Sequence, residues 1–247
     1  ASLSYPNELM KELSPLIVSP SQVPLDWLAG YVNLPENELR ELRTCKWKKR
    51  DIRSELRFAV SSDLTTWQVF RHCLDSSPPF HLAVSLWRGI DNLQHTALRY
   101  VPFMNDPAVT EEERRKFGEI VPQAYRFADQ IIGDILARMG PADTLFVVSD
   151  HGCAYEPKRG AYGHKRSLAP GVFYAYGREF RQGFHINTPT VFDVTPTILR
   201  VLGLPPAHDM DGRCLQEALT PQFLAEHPPL EPIETYGPPQ PYRIEEE

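Results

Sequence analysis

The sequence predicts an α/β fold with a mainly parallel sheet flanked by helices. Three short apolar runs carry that expectation. Phe80 to Trp87, Thr144 to Ser149 and Gly171 to Tyr176 are each bounded by turn residues, as strands buried on both faces are. Helical patterns separate and follow them, and alternating strands and helices imply crossover connections between parallel strands. No internal repeat or low-complexity array competes with this reading.

Taken in order, residues 1–75 read as a helical region, rich in proline and polar groups up to about residue 60. Pro35 suits the first turn of a helix reaching Leu42, with Glu36 and Glu38 near the positive end of its dipole. Asp63 reads as the cap of an amphipathic helix ending near Leu74, before the turn residues Asp75 to Pro79. After the strand Phe80 to Trp87 comes a helix from Asn92 to Tyr100. A longer helix covers Glu111 to Met139, with Tyr125, Ile131, Ile132 and Ile135 on its apolar face, and Gly140-Pro141 stops it. The other two strands follow, then a helix from Thr190 to Leu202 in which Pro196 is tolerable only near the first turn. Residues 76–225 thus form the α/β core. Residues 226–247 form a tail whose six prolines and final Glu245-Glu246-Glu247 predict a surface-wrapping or disordered extension.

The 247 residues suffice to bury roughly 70–75% of the unfolded surface. Lys and Arg number 26 against 32 Asp and Glu, a net charge of -6, which argues against coating duplex nucleic acid or an anionic membrane. The basic cluster Lys46 to Arg50 reads as a solvated face. No run of 18 apolar residues is present, so no membrane span is predicted. Cys45, Cys73, Cys153 and Cys214 have no metal-type spacing and leave the compartment open. Ala1 to Pro6 holds neither a basic region nor an apolar stretch, and no initiator Met; it reads as a processed chain or a piece of a longer one.

Chemistry in a parallel α/β sheet gathers beyond the carboxyl ends of strands. After the first predicted strand, Asp91 and His95 stand four apart and share a helix face. A carboxylate and an imidazole converging there suit a divalent cation, zinc especially. After the second come Asp150 and His151, which a turning chain can aim at one centre, with Gly152 permitting close backbone approach. Gly163-His164 in the next loop adds an imidazole. Lys165 and Arg166 beside it are either phosphate-binding cations or solvated loop charges. Any one of these pieces alone is more often a surface ion pair, an Asx turn or an ordinary loop histidine. Three of them at successive strand ends, all supplying ligands for the same metals, make a far more specific combination.

The stretch Val147-Val148-Ser149-Asp150-His151-Gly152 resembles the signature of the alkaline phosphatase superfamily, in particular its type I phosphodiesterase and nucleotide pyrophosphatase branch. The likeness runs from about Phe80 to Leu219. It takes in Gly89-Ile90-Asp91 with His95, Gly163-His164, Gly171 to Gly177, Phe192 to Leu199, Leu202 to Pro205 and Asp209 to Arg213. The resemblance implies an alkaline-phosphatase-like fold and two divalent metal ions, zinc, with manganese as the alternative. Asp91, His95 and His164 would hold one ion, and Asp150 and His151 the other. In that family a further Asp and a nucleophilic Thr or Ser complete the second site from the N-terminal half. The pair of ions activates the nucleophile and stabilises an in-line displacement on a phosphate ester.

Nothing before Asp91 resembles that first strand or nucleophile segment; Ser61-Ser62-Asp63 and Thr65-Thr66 precede a helix. The expectation is therefore a chain that supplies five metal ligands and lacks its nucleophile, being either part of a longer chain or the partner of a separate N-terminal half. Residues 1–75 would be a cap-like or inserted region, with Trp27, Tyr31, Trp47 and Trp67 either reading the group attached to phosphorus or packing the core. The main alternative is a non-catalytic relative acting as a binding or scaffold module.

Overall fold

The structure, a computed structural model, describes residues 8–76, 80–156, 161–163 and 170–237. The elements run α1 (Leu9–Leu13), α2 (Leu25–Tyr31), α3 (Glu36–Thr44), α4 (Ile52–Asp75), α5 (Gly89–Ala97), α6 (Glu111–Phe117), α7 (Ile120–Leu136), β1 (Leu145–Val148), β2 (Ala154–Glu156), β3 (Ala161–Gly163), β4 (Phe173–Tyr176), α8 (Val194–Val201) and α9 (Pro221–Glu226), with short 3-10 turns between them. They divide into two compact units, Ala1–Ala137 with Gly152–Pro170, and Arg138–His151 with Gly171–Glu247.

The first unit is mainly helical. Its core joins Leu28, Tyr31, Leu42, Leu56 and Val60 from α2, α3 and α4 to Leu93, Ile120, Phe127 and Ile131 from α5 and α7. The central helix α4 begins well upstream of the expected cap. Asp51 is the N-cap, its carboxylate accepting the amides of Arg53 and Ser54, each at 3.1 Å. Asp63 lies instead in the helix interior, buried. The predicted long helix is broken into α6 and α7. Thr110 and Glu113 form a capping box that starts α6. The break falls at Gly118-Glu119 because Pro122 has no amide hydrogen and tolerates only a first-turn position, so the helix must restart just ahead of it.

The segment 80–87 departs furthest from expectation. It carries no regular secondary structure, and among the described residues no strand pairs with it. Phe80, Leu82, Val84 and Leu86 are 49–79% exposed. Its end packs on the helical core, where the Trp87 ring lies 6.2 Å from Trp67. Apolar, β-favouring composition creates a strand only where a neighbouring strand supplies the ladder.

The second unit holds β1 and β4, which pair antiparallel with Val148 opposite Phe173 and Leu145 opposite Tyr176. Among the described residues the other ladder, β2 with β3, is antiparallel too, and one isolated parallel bridge joins Ala207 to Ile233. The mainly parallel sheet is therefore not what the described residues form: the fold is mixed helix and sheet, with two-stranded antiparallel ladders. Nor are β1 and β4 buried on both faces. Phe146, Phe173 and Ala175 pack on Phe180, Leu215, Ala218, Leu219 and Phe223, while Tyr174 and Tyr176 are exposed. The alternation Phe-Tyr-Ala-Tyr already carries that period of two, with hydroxyl-bearing rings on the wet face.

The remainder of this unit is held by side-chain caps. Thr190 and Asp193 form a capping box ahead of α8, and Pro196 lies in the first turn of that helix. The helix stops in a Schellman motif. Gly203 adopts φ +70°, its amide donates to the Arg200 carbonyl at 3.3 Å, and the Leu204 amide reaches the Leu199 carbonyl at 2.9 Å. The first part of the predicted tail wraps this unit. Ile233 exchanges backbone hydrogen bonds with Pro206 and His208 at 3.0 and 2.9 Å, and Tyr236 Oη donates to the Pro205 carbonyl at 2.7 Å. Among the described residues no helix is long and apolar enough to cross a membrane.

Candidate metal centre

Helix α5 carries two of the expected ligands. Asp91 stands in its first turn and His95 in its last, four residues apart on one face. His95 Nε2 lies 3.5 Å from Asp91 Oδ1, with both side chains partly exposed. The helix is tied to its neighbours by polar contacts. Gln94 Nε2 donates to Tyr125 Oη of α7 at 2.8 Å, and the Gly89 amide donates to Asp63 Oδ1 of α4 at 3.1 Å.

The second pair follows β1 directly. Ser149 ends the strand in a clasp, its amide donating to the Val172 carbonyl and its Oγ accepting the Val172 amide, both at 2.9 Å. The chain then turns, placing His151 Nε2 3.5 Å from Asp150 Oδ2; Asp150 is 80% exposed. Thus Asp91 comes together with His95, and Asp150 with His151, as the sequence indicated. The first pair lies in the helical unit and the second in the other. His164, Lys165 and Arg166 lie outside the described residues, and no group of three or more His, Cys, Asp or Glu poised for a metal occurs among the described ones.

The chemistry of each pair suits a divalent cation. Two ligands about 2.0–2.1 Å from a tetrahedral zinc stand roughly 3.4 Å apart. The nitrogen–oxygen separation of 3.5 Å is close to that edge and long for a hydrogen bond.

One buried group near the first pair is not an evident site residue in the sequence. Asp63 is 8% exposed. Burial pushes its carboxyl up to about 6, against hydrogen bonds from the Gly89 and Arg88 amides. The available signal was an Asp in the interior of a strongly patterned helix, where that residue is disfavoured.

Comparison with known proteins gives two partial likenesses. The chain is 32% identical over 82 residues to a phosphopentomutase of Acetivibrio thermocellus, covering 33% of this chain and 20% of that protein. It is 33% identical over 79 residues to a phosphopentomutase of Clostridium novyi, covering 32% of this chain and 19% of that one. The matched stretch spans about a fifth of the length of these curated relatives. No protein-family model matches the chain, and no solved structure does.

Proposed function

We propose that this chain belongs to a metal-dependent phosphoryl-transfer enzyme and supplies metal ligands to a two-metal site. The two Asp–His pairs, each with its donors 3.5 Å apart, carry this reading. The partial likeness to phosphopentomutases supports it, since these belong to the alkaline phosphatase superfamily, whose signature the stretch Val147 to Gly152 resembles.

In the proposed arrangement Asp91 and His95, with His164, hold one ion, and Asp150 and His151 hold the other; zinc is the first choice and manganese the alternative. Bound there, the ions would lower the pKa of a nucleophile and neutralise the oxygens of the transferring group. Helix α5 and the Ser149 clasp fix the directions of the Asp91–His95 and Asp150–His151 donors. Lys165 and Arg166 neutralise a substrate phosphate. The nucleophile and one further Asp would come from an N-terminal half, whether joined in a longer chain or separate.

Two reactions fall within this class. Hydrolysis of a phosphodiester or nucleotide pyrophosphate follows from the branch that Val147 to Gly152 resembles. Transfer of phosphate between positions of a pentose follows from the named activity of the two relatives. The test is to assay the zinc- or manganese-loaded protein on bis-p-nitrophenyl phosphate and on ribose 5-phosphate, beside His95→Ala. Diester cleavage lost in the variant supports the hydrolase, and ribose 1-phosphate formation lost in the variant supports the mutase. Metal binding with neither activity, even alongside the N-terminal part, favours a binding or scaffold module.

A further inference from the structure

The first turn of α5 lacks a cap of its own. Arg88 occupies the N-cap position without a side-chain hydrogen bond, which leaves the leading amides in need of partners. The partner comes from another helix: Asp63 Oδ1 accepts the Gly89 amide at 3.1 Å, and the Arg88 amide also bonds this carboxylate. The fit leaves no spare room. A Cβ at position 89 would lie 1.8 Å from Asp63 Oδ2 and 2.6 Å from Cγ, so the carboxylate can approach only because residue 89 is glycine. Asp91 begins two residues further along the same turn.

We infer that Asp63 is a positioning residue for the Asp91–His95 pair. Its carboxylate, reaching across from α4, caps α5 and sets the direction in which the helix presents both donors. This rests on the metal reading above for its purpose, and on the Asp63–Gly89 contact alone for its geometry. A buried anion that sits against a helix amino terminus is favourably placed with respect to the helix dipole. A hydrophobic residue in the same place would pack more cheaply, because burying a carboxylate is costly. Its place in the core of α4 is accounted for by what it holds. The ordering of a metal ligand by a group behind it is the usual work of an outer-shell carboxylate.

The test uses the full 247-residue chain, 15N-labelled, with zinc alone as probe. Asp63→Ala removes the acceptor, and Asp63→Asn keeps an acceptor oxygen without the charge. Asp63→Ala is expected to speed amide exchange at Gly89 by about tenfold or more. It should also weaken zinc binding ~10–100-fold. Asp63→Asn should restore both to within about threefold, a rescue that general loosening of the core would not show. In the unsubstituted chain, the Gly89 amide resonance should follow the titration of the Asp63 carboxyl, which tests the contact even if Asp63→Ala fails to fold. Unchanged exchange at Gly89 and unchanged zinc affinity in a folded Asp63→Ala protein overturn the inference, as does a Gly89 amide indifferent to that titration. A chain that binds no zinc, yet whose Gly89 amide is exposed by Asp63→Ala, keeps Asp63 as the holder of α5 and removes only the metal reading.

Discussion

Asp193 Oδ1 accepts the amide of Arg213 at 2.9 Å, joining two segments that the sequence presents as separate motifs. The same carboxylate closes the capping box through Oδ2, which accepts the Thr190 amide at 2.8 Å and its hydroxyl at 3.1 Å. Phe192-Asp193-Val194 and Asp211-Gly212-Arg213 are therefore one structural knot that holds the start of α8.

Asp193→Ala is expected to cost about 1–3 kcal/mol, measured by denaturant unfolding at pH 7. Burial raises the Asp193 carboxyl, but hydrogen bonds from Arg213 and Thr190 outweigh it and hold it below its ordinary value. An acid with a lowered folded pKa adds stability above its unfolded value, near 3.9, and loses it as pH falls through the folded one. The wild-type and Asp193→Asn curves should accordingly converge below about pH 4.

Thr197 continues the same network. Its hydroxyl donates to the Asp193 carbonyl at 2.7 Å and accepts the Leu215 amide at 3.0 Å, fully buried. Thr197→Val preserves shape but strands the Leu215 amide, for an expected loss of ~1–3 kcal/mol. Thr197→Ser keeps the hydroxyl and should lose less than about 1.5 kcal/mol, essentially the cost of one methyl group. Equal losses in the two variants would contradict a role for the hydroxyl.

Asp63 should carry the opposite pH dependence. Its folded pKa is raised from 3.8 to about 6, so the native state binds more protons than the unfolded chain between those values, and stability falls as pH rises through that window. Asp63→Asn removes the cost of the buried anion. At pH 7 it should be more stable than wild type by up to roughly 3 kcal/mol, with the gain vanishing below about pH 4. Gly89→Ala should destabilise, because its new Cβ meets the Asp63 carboxylate, and Gly89→Ala with Asp63→Ala should lose less than the sum of the two.

The exposed apolar segment gives the clearest contrast with the core. Val84→Ser and Tyr174→Ser, at 79% and 66% exposure, should change stability by no more than ~0.5 kcal/mol. Leu215→Ala, at 0% exposure, should cost ~2–5 kcal/mol. A large loss at Val84 would mean that residues 80–87 are paired after all.

These contrasts also mark how far the sequence was legible. Local signals read well: the α5 face that brings Asp91 to His95, the turn after β1 that brings Asp150 to His151, and Pro196 in the first turn of α8 follow from spacing and caps within a few residues. The expected cap at Asp63 failed because the same residue type serves as a cap at a helix start and as a tertiary acceptor in a helix interior; only the distant Gly89 tells them apart. The single helix from Glu111 to Met139 failed because its apolar periodicity runs straight through Pro122. The parallel sheet is not seen among the described residues, because an apolar run specifies a tendency to pair and leaves the partner and its direction open. His164, Lys165 and Arg166, expected to complete the site, lie outside the described residues.

Metal content tests the central claim most directly. The purified chain would be supplemented with zinc, desalted and analysed for bound metal beside His95→Ala and Asp150→Ala. About one or two equivalents in the wild type, reduced in each variant while both remain folded, is the expected result. No retained metal, or the same amount in all three proteins, would contradict a metal centre built on these pairs.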